Sequence, residues 1–196
     1  MNNKVITKAK RNNIKDIVKI HKKCVVETNA DTYDPKVIKT WLEQINEKNV
    51  QSQFDSTSWI IIKEDKKIIG FAQYGLEDQT IYQIQIDPDY QGKGYGKKIF
   101  LWTMNKAKTL GYRNFRLYTD LEDNKVATEL YRKVGMIEEP YIGEDMSPYK
   151  FVIFSKNLYS NKTEKIGNRN LFLKHQEEIQ NRAAKDLKKL INLKHS

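Results

Sequence analysis

The chain predicts an α/β fold, with a mixed, mainly antiparallel central sheet flanked by helices and a helical extension at its C-terminal end. Three observations carry the prediction. Short β-branched runs alternate with helical patterns through the first 158 residues. Three of those runs, SWIIIKE, IIGFAQYGL and TIYQIQI, follow one another across tight turns, which implies an antiparallel meander. From residue 159 onward the strand pattern stops and the chain becomes basic and helical. The expected organisation is therefore one domain over residues 1–158 and an appendage over 159–196.

The elements follow in order. A strand near Lys4 to Thr7 leads to a helix over Asn13 to Lys23, where Ile14, Ile17, Val18 and His21 fall on one face. A second helix spans Pro35 to Ile45: Asp34 can cap it, Pro35 suits its first turn, and Val37, Ile38, Trp41 and Ile45 form its apolar stripe. The three-stranded meander comes next and ends at Asp87 and Pro88, where proline stops the ladder. A helix then begins near Gly96, lines one face with Ile99, Phe100, Thr103, Ala107 and Leu110, and stops at Gly111. A strand at Phe115 to Thr119 precedes a further helix over NKVATELYRKVGM.

Between the meander and its following helix lies QGKGYGKKIF, which places three of the chain's nine glycines at every second position. A helix N-terminus leaves backbone N–H groups unpaired and carries positive dipole charge, so strand, glycine loop and helix together suit an anion. Gly92, Gly94 and Gly96 remove the Cβ atoms that would block a pyrophosphate and permit positive φ; Lys93 and Lys97 add charge nearby. A plain strand-to-helix turn is the structural alternative. The spacing excludes a P-loop, and the preceding meander excludes a dinucleotide-binding βαβ unit.

Composition bounds the rest. Thirty-nine per cent hydrophobic residues suffice for a core. No run of about 18 apolar residues spans a membrane, and MNNKVITKAKRNN lacks a secretory apolar stretch, so the expectation is a cytoplasmic protein without a membrane partner. One cysteine, Cys24, and three histidines give no disulfide and no structural zinc, and no metal is expected. The net charge of +10 favours nucleic acid, ribosomes or a phosphorylated cofactor, or else reflects compositional bias. Residues 159–196 hold nine Lys or Arg against four acids, hence +5, and their Ile179, Ala183, Leu187, Leu190 and Ile191 recur at helical spacing. A basic linker and amphipathic helix follow, fit to dock on the domain or a second copy in a homodimer, or to bind a polyanion.

Two motifs in order, IQIDPDYQGKGYG from Ile84 to Gly96 and NKVATELYRKVGM from Asn124 to Met136, resemble the GNAT superfamily of acetyl-CoA-dependent N-acyltransferases over about residues 4 to 158. The resemblance implies acetyl-CoA as acyl donor. The backbone of the strand carrying Ile84 and Ile86 would pair with its pantetheine, and the amides of Gln91, Gly92, Lys93, Gly94, Gly96 and Lys97 would cradle its pyrophosphate. Asn124 would cap the helix or contact the cofactor. Tyr131 stands where relatives keep a tyrosine that protonates the departing thiolate, although Ala127, Leu130, Tyr131 and Val134 also read as a core stripe.

A general base is not evident, because TIYQIQI and FRLYT contain no acid. Glu77, Asp78, Asp120 and Glu122 flank those strands, a water relayed through Gln83, Tyr82 or Tyr118 would serve, and so would an amine arriving neutral. The expected activity is acetyl transfer by direct attack in a ternary complex, with a small amine, a protein amine or an aminoacyl-tRNA as acceptor. The reading from another class is a non-catalytic protein that binds CoA or nucleic acid on the same fold.

Overall fold

The computed structural model describes residues 4–30, 33–75, 79–120, 125–139 and 151–159. The chain divides into two compact units, residues 1–115 and 116–196. The expected amphipathic helix lies outside the described residues, as does Asn124.

The first unit opens with β1 (Lys4–Lys8) and α1 (Ile14–Cys24), which runs on into a π-helical turn over Val25–Asn29. Helices α2 (Pro35–Gln44) and α3 (Glu47–Gln53) follow. Asp34 caps α2 through a bond from the Lys36 N–H (2.8 Å), and Asn46 caps α3 through one from the Asn49 N–H (2.9 Å). Strands β2 (Thr57–Glu64), β3 (Lys67–Gly75) and β4 (Thr80–Ile86) form the expected meander. The strands lie in the order β1-β2-β3-β4, every pair antiparallel, with Thr7 opposite Ile61, Ile60 opposite Ala72, and Ala72 opposite Ile84. A short 3₁₀ turn (Pro88–Tyr90) and α4 (Tyr95–Thr109) complete the unit, apart from the first residues of β5 (Asn114–Asp120).

Both faces of this sheet are covered, which explains why β2 and β3 read as apolar runs rather than alternating ones. On one face Ile14, Ile17, Ile20 and Cys24 of α1 cluster with Trp59, Ile61 and Phe71. The alternate residues Ile60, Ile62 and Ala72 are equally buried, and α4, which contacts β2, β3 and β4, buries Ile99, Phe100 and Ala107. Truncating any of the α1 isoleucines to alanine would cost about 2–5 kcal/mol. Gly70 marks the tightest approach: a Cβ there would lie 2.5 Å from Ile86 Cδ1 and 2.7 Å from the Gln85 carbonyl.

The second unit contains the rest of β5, α5 (Lys125–Lys133), β6 (Ile137–Glu139) and β7 (Phe151–Asn157). β7 lies between β5 and β6 and pairs antiparallel with β6, Ile137 opposite Ser155 and Glu139 opposite Ile153. Ile153 and Phe154 are fully buried. An Arg132–Glu138 ion pair of 2.7 Å joins α5 to β6; both partners are exposed, so it contributes at most about 1 kcal/mol.

Candidate active site

The end of β4 is held by a charge cluster. The Asp87 carboxylate, 5% exposed, accepts from Lys23 Nζ (2.7 Å) and from the Asp89 N–H (3.2 Å), while Lys67 stands 3.8 Å away. Burial alone would raise the Asp87 pKa. The hydrogen bonds from Lys23 and Asp89 and the two lysine charges outweigh it, so the net shift is downward. Asp87 thus stays ionised and ties α1, β4 and the following turn together.

The glycine loop begins directly after this clamp. Gly92 has φ 72°, and Gly94, the N-cap of α4, has φ 79° and ψ 7°, a left-handed conformation that other L-residues adopt only at a cost. A Cβ at either position would meet nothing within 4 Å, so the space beside both is open. Gly96 differs: it sits in the first turn of α4 without positive φ, and its Cβ would touch Ile86 Cγ1 at 3.9 Å. No side chain caps α4 and no acid lies in its first turn. The first N–H groups of the helix therefore face outward with the positive end of its dipole.

The neighbouring side chains are partly committed. Gln91 Nε2 donates to the Ile86 carbonyl (2.9 Å) and to Thr28 Oγ1 (3.2 Å), and its main-chain N–H donates to the Pro88 carbonyl (3.2 Å), so the free loop amides begin after it. Lys93 Nζ folds back to the Asp89 carbonyl (2.9 Å) and over the Tyr90 ring, whereas Lys97 is exposed on α4. Ile84 is half-buried and Ile86 buried. The Ile86 carbonyl also accepts from Cys24 Sγ (3.2 Å), and burial pushes that thiol up to about 12, so Cys24 is a donor rather than a nucleophile.

Tyr131 belongs to the second unit. It is half-buried on α5 with its ring 5.3 Å from that of Phe154, and burial pushes its hydroxyl up to about 12, so it keeps its proton at neutral pH. Glu77, Asp78 and Glu122, like Asn124, lie outside the described residues.

The sequence reading did not find the cavity beside β4 in the first unit, a space of about 320 Å³. Its apolar part comes from Val25, Ile45 and Val50, with the indoles of Trp41 and Trp59. Six amides line the remainder: Asn29, Gln44, Asn49, Gln53, Gln83 and Gln85. His21 completes it; its ring meets Phe71 edge-on at 5.7 Å, and burial lowers its pKa to about 4, so it is neutral. Among the described residues lining the cavity there is no carboxylate and no permanent cation. The signal that was available lay in β4 itself, where Gln83 and Gln85 interrupt an otherwise apolar strand.

A chain of hydrogen bonds orders these amides. The Thr57 hydroxyl donates to the Gln53 carbonyl (2.6 Å), so its oxygen accepts from Gln73 Nε2 (3.1 Å), which also donates to Gln53 Oε1 (2.8 Å). Gln73 Oε1 must then face Gln83 and accept from its Nε2 (2.8 Å). The consequence is directional: Gln83 Oε1 remains as an acceptor. Trp59, 1% exposed and stacked on Phe54 at 5.5 Å, has an indole N–H with no hydrogen-bond partner among the described residues.

The antiparallel meander runs into a left-handed glycine loop and an uncapped helix whose N–H groups suit an anionic ligand, beside a polar-lined cavity. The sequence model described as the Acetyltransferase (GNAT) family matches residues 14–136, and the chain belongs to that family. It is 25% identical over 114 residues to the mycothiol acetyltransferase of Actinosynnema mirum, covering 56% of this chain and 38% of that protein. It is 35% identical over 77 residues to the [ribosomal protein bS18]-alanine N-acetyltransferase of Haemophilus influenzae, covering 38% and 51%. The chain thus spans about half or less of the length of these relatives. The crystal structure of the PaiA N-acetyltransferase from Thermoplasma acidophilum in complex with coenzyme A superposes with a TM-score of 0.68 at 21% identity, covering 79% of this chain and 99% of that one. That likeness supports the expected fold class. No helix among the described residues is long and apolar enough to cross a membrane, and no group of three His, Cys, Asp or Glu among them is placed to hold a metal ion.

Proposed function

We propose that this chain is an N-acetyltransferase that moves an acetyl group from acetyl-CoA to a primary amine by direct attack in a ternary complex. The observation that carries the reading is the left-handed N-cap at Gly94, which opens α4 without a side-chain cap or an acid and leaves open space where a Cβ would stand. A pyrophosphate fits such a cradle, held by the main-chain N–H groups from Gly92 to Lys97 with Lys97 nearby, and by that of Gln91 once it releases the Pro88 carbonyl. The bound acetyl-CoA supplies an activated thioester.

The protein's own residues do the rest. Ile84 and Ile86 present main chain to the pantetheine while their side chains pack the domain. The cavity beside β4 holds the amine close to that strand, and positioning two reactants in this way supplies much of the acceleration. Tyr131, which stays protonated, is the donor to the departing thiolate, and Asn124 caps the helix that carries it or contacts the cofactor.

The acceptors in the names of the relatives, mycothiol and a ribosomal protein alanine, support a primary amine without fixing which one. The absence of a carboxylate from the described cavity lining favours a second reading, in which the fold binds CoA without transferring acyl groups. The basic segment 159–196 is proposed as an appendage to a 1–158 domain, contacting nucleic acid, the ribosome or a second copy of the chain, in a cytoplasmic protein.

The deciding experiment is incubation with acetyl-CoA and a panel of amines, followed by detection of free thiol. Amine-dependent thiol release supports the enzyme; retained CoA with no release in the presence of any amine supports the binder.

A further inference from the structure

We propose that Tyr95 and Glu64 are positioning residues for the cofactor: the turn end of the β2–β3 hairpin braces both flanks of the glycine loop and holds its main-chain N–H groups in the cradle conformation before acetyl-CoA arrives. This rests on the transferase reading above and names the residues that make its phosphate site rigid.

Residues 91–94 are all exposed, and two of them are left-handed glycines, so little inside the loop packs it into one shape. Glycine loses more conformational freedom than any other residue when it is fixed, and a cradle that is formed only part of the time binds its ligand correspondingly more weakly. The shape has to be imposed from the flanks.

Those flanks are Tyr90 and Tyr95, whose ring centroids stand 6.4 Å apart across the neck of the loop. One hairpin grips both. Glu64 and Lys67 lie opposite each other as the last pair of β2 and β3, on either side of the turn at Asp65 and Lys66. On the entry side Lys67 Nζ lies 4.7 Å from the centre of the Tyr90 ring, 3.4 Å from its hydroxyl and 3.8 Å from the Asp87 carboxylate. On the exit side the Tyr95 hydroxyl donates to Glu64 Oε1. Lys4, the residue opposite Glu64 on β1, stands 5.0 Å from the centre of the Tyr95 ring.

The two grips differ in strength. Lys67 is exposed, so its contacts with Tyr90 and Asp87 are screened by water. Tyr95 is 3% exposed and is the first residue of α4, directly after left-handed Gly94. A phenylalanine would fill the same space, so what the hydroxyl adds is direction. The hydrogen bond to Glu64 raises the Tyr95 pKa, which keeps the phenol protonated and in the donor role. That bond fixes the rotation of the first turn of α4, and with it the aim of the N–H groups of Tyr95, Gly96 and Lys97, which the helix itself leaves unpaired.

The test is made on the full chain, with acetyl-CoA affinity by calorimetry and amide hydrogen exchange of residues 91–97 in the cofactor-free protein. Tyr95→Phe should weaken acetyl-CoA about three- to tenfold and speed exchange in the loop, because a hydrogen bond to a charged group no longer favours the competent form. Glu64→Gln still accepts from the phenol and should stay within about twofold of wild type. Glu64→Ala should match Tyr95→Phe, and the two combined should lose no more than the worse single variant. Ile17→Val, which loosens the core against α1, controls for general destabilisation and should leave both readings unchanged. Wild-type affinity and loop exchange in a folded Tyr95→Phe overturn the inference and leave the cofactor site standing. Additive losses in the combined variant overturn it too, as does an equal affinity loss in Ile17→Val. A wild-type protein that binds no acetyl-CoA overturns the transferase reading and the brace together.

Discussion

Gly94→Ala and Gly96→Ala, taken side by side, separate the two ways a glycine can serve the cofactor loop. Gly94 sits at φ 79°, where an L-residue costs about 1–2 kcal/mol. Its Cβ would meet nothing within 4 Å, so no clash adds to that strain. For a chain of this length about 2–4 °C of Tm accompanies each kcal/mol, and Gly94→Ala should melt about 2–8 °C lower. Gly96 is helical, and its nearest prospective neighbour, Ile86 Cγ1 at 3.9 Å, is at ordinary contact. Alanine there removes up to about 1 kcal/mol of helix penalty, so Tm should hold or rise slightly. Acetyl-CoA affinity should fall about tenfold or more in Gly94→Ala, because the new methyl occupies the space left for phosphate, and a tenfold loss corresponds to about 1.4 kcal/mol. Differential scanning fluorimetry and titration calorimetry on both variants check the two claims separately. Equal melting losses would refute the backbone argument, and wild-type affinity in a folded Gly94→Ala would refute the cradle.

Tyr131→Phe keeps the ring against Phe154 and should lower kcat on the order of a hundredfold with acetyl-CoA affinity unchanged; wild-type turnover would reduce Tyr131 to a packing residue. His21 is held neutral with a pKa near 4, so the unfolded chain takes up the proton first as pH falls. Its contribution to stability is complete above about pH 6.5 and is lost between there and about pH 4, by up to about 3 kcal/mol, and His21→Gln should flatten that part of the urea-denaturation profile. Gly70→Ala forces a Cβ to within 2.7 Å of a backbone oxygen and should cost about 2 kcal/mol or more, read as a lower guanidinium midpoint; an unchanged midpoint would contradict the packing there. Removal of residues 160–196 should leave acetyl-CoA binding intact and lower Tm or change hydrodynamic size, and loss of cofactor binding in a folded truncation would assign the segment to the active site.

What was legible in the sequence follows from how local each feature is. Helices α1, α2 and α4 write their burial into a period of 3.6, the meander shows as apolar runs separated by short turns, and Asp34 with Pro35 marks the start of α2. The glycine loop was legible because left-handed backbone leaves a residue-type mark at Gly92 and Gly94, although Gly96 turned out to need no positive φ. Helix α3 was missed: its seven residues bury only Val50, which is too little for a stripe. Strand β6, three residues of IEE, is likewise too short to show alternation, and β7 was not anticipated either. His21 was placed on the apolar face of α1, where it does lie against Phe71, yet nothing in its spacing disclosed that it lines a cavity.

The difference between the legible and the hidden parts has a functional side. A cradle made of backbone N–H groups accepts any ligand carrying the same phosphate, so its design is carried by which residues lack a Cβ, and that is local in sequence. The cavity beside β4 is built instead from side chains of α1, the turn after it, α2, α3, β2 and β4, and on the proposed reading any preference among acceptors would reside in the direction of its amide dipoles rather than in any one residue. That direction is set remotely: reversing it at Gln83 requires that the Thr57 hydroxyl release the Gln53 carbonyl and donate to Gln73 instead, and that the Gln53 amide turn to offer its nitrogen. Thr57→Val removes one of the two oxygens that accept from Gln73 and leaves the orientation of that amide to Gln53 Oε1 alone, although Thr57 itself does not line the cavity. Selectivity among acceptors should therefore relax in Thr57→Val while acetyl-CoA affinity, set by the loop, stays where it was. A wild-type acceptor preference in that variant would show that the amide chain does not set the orientation of Gln83.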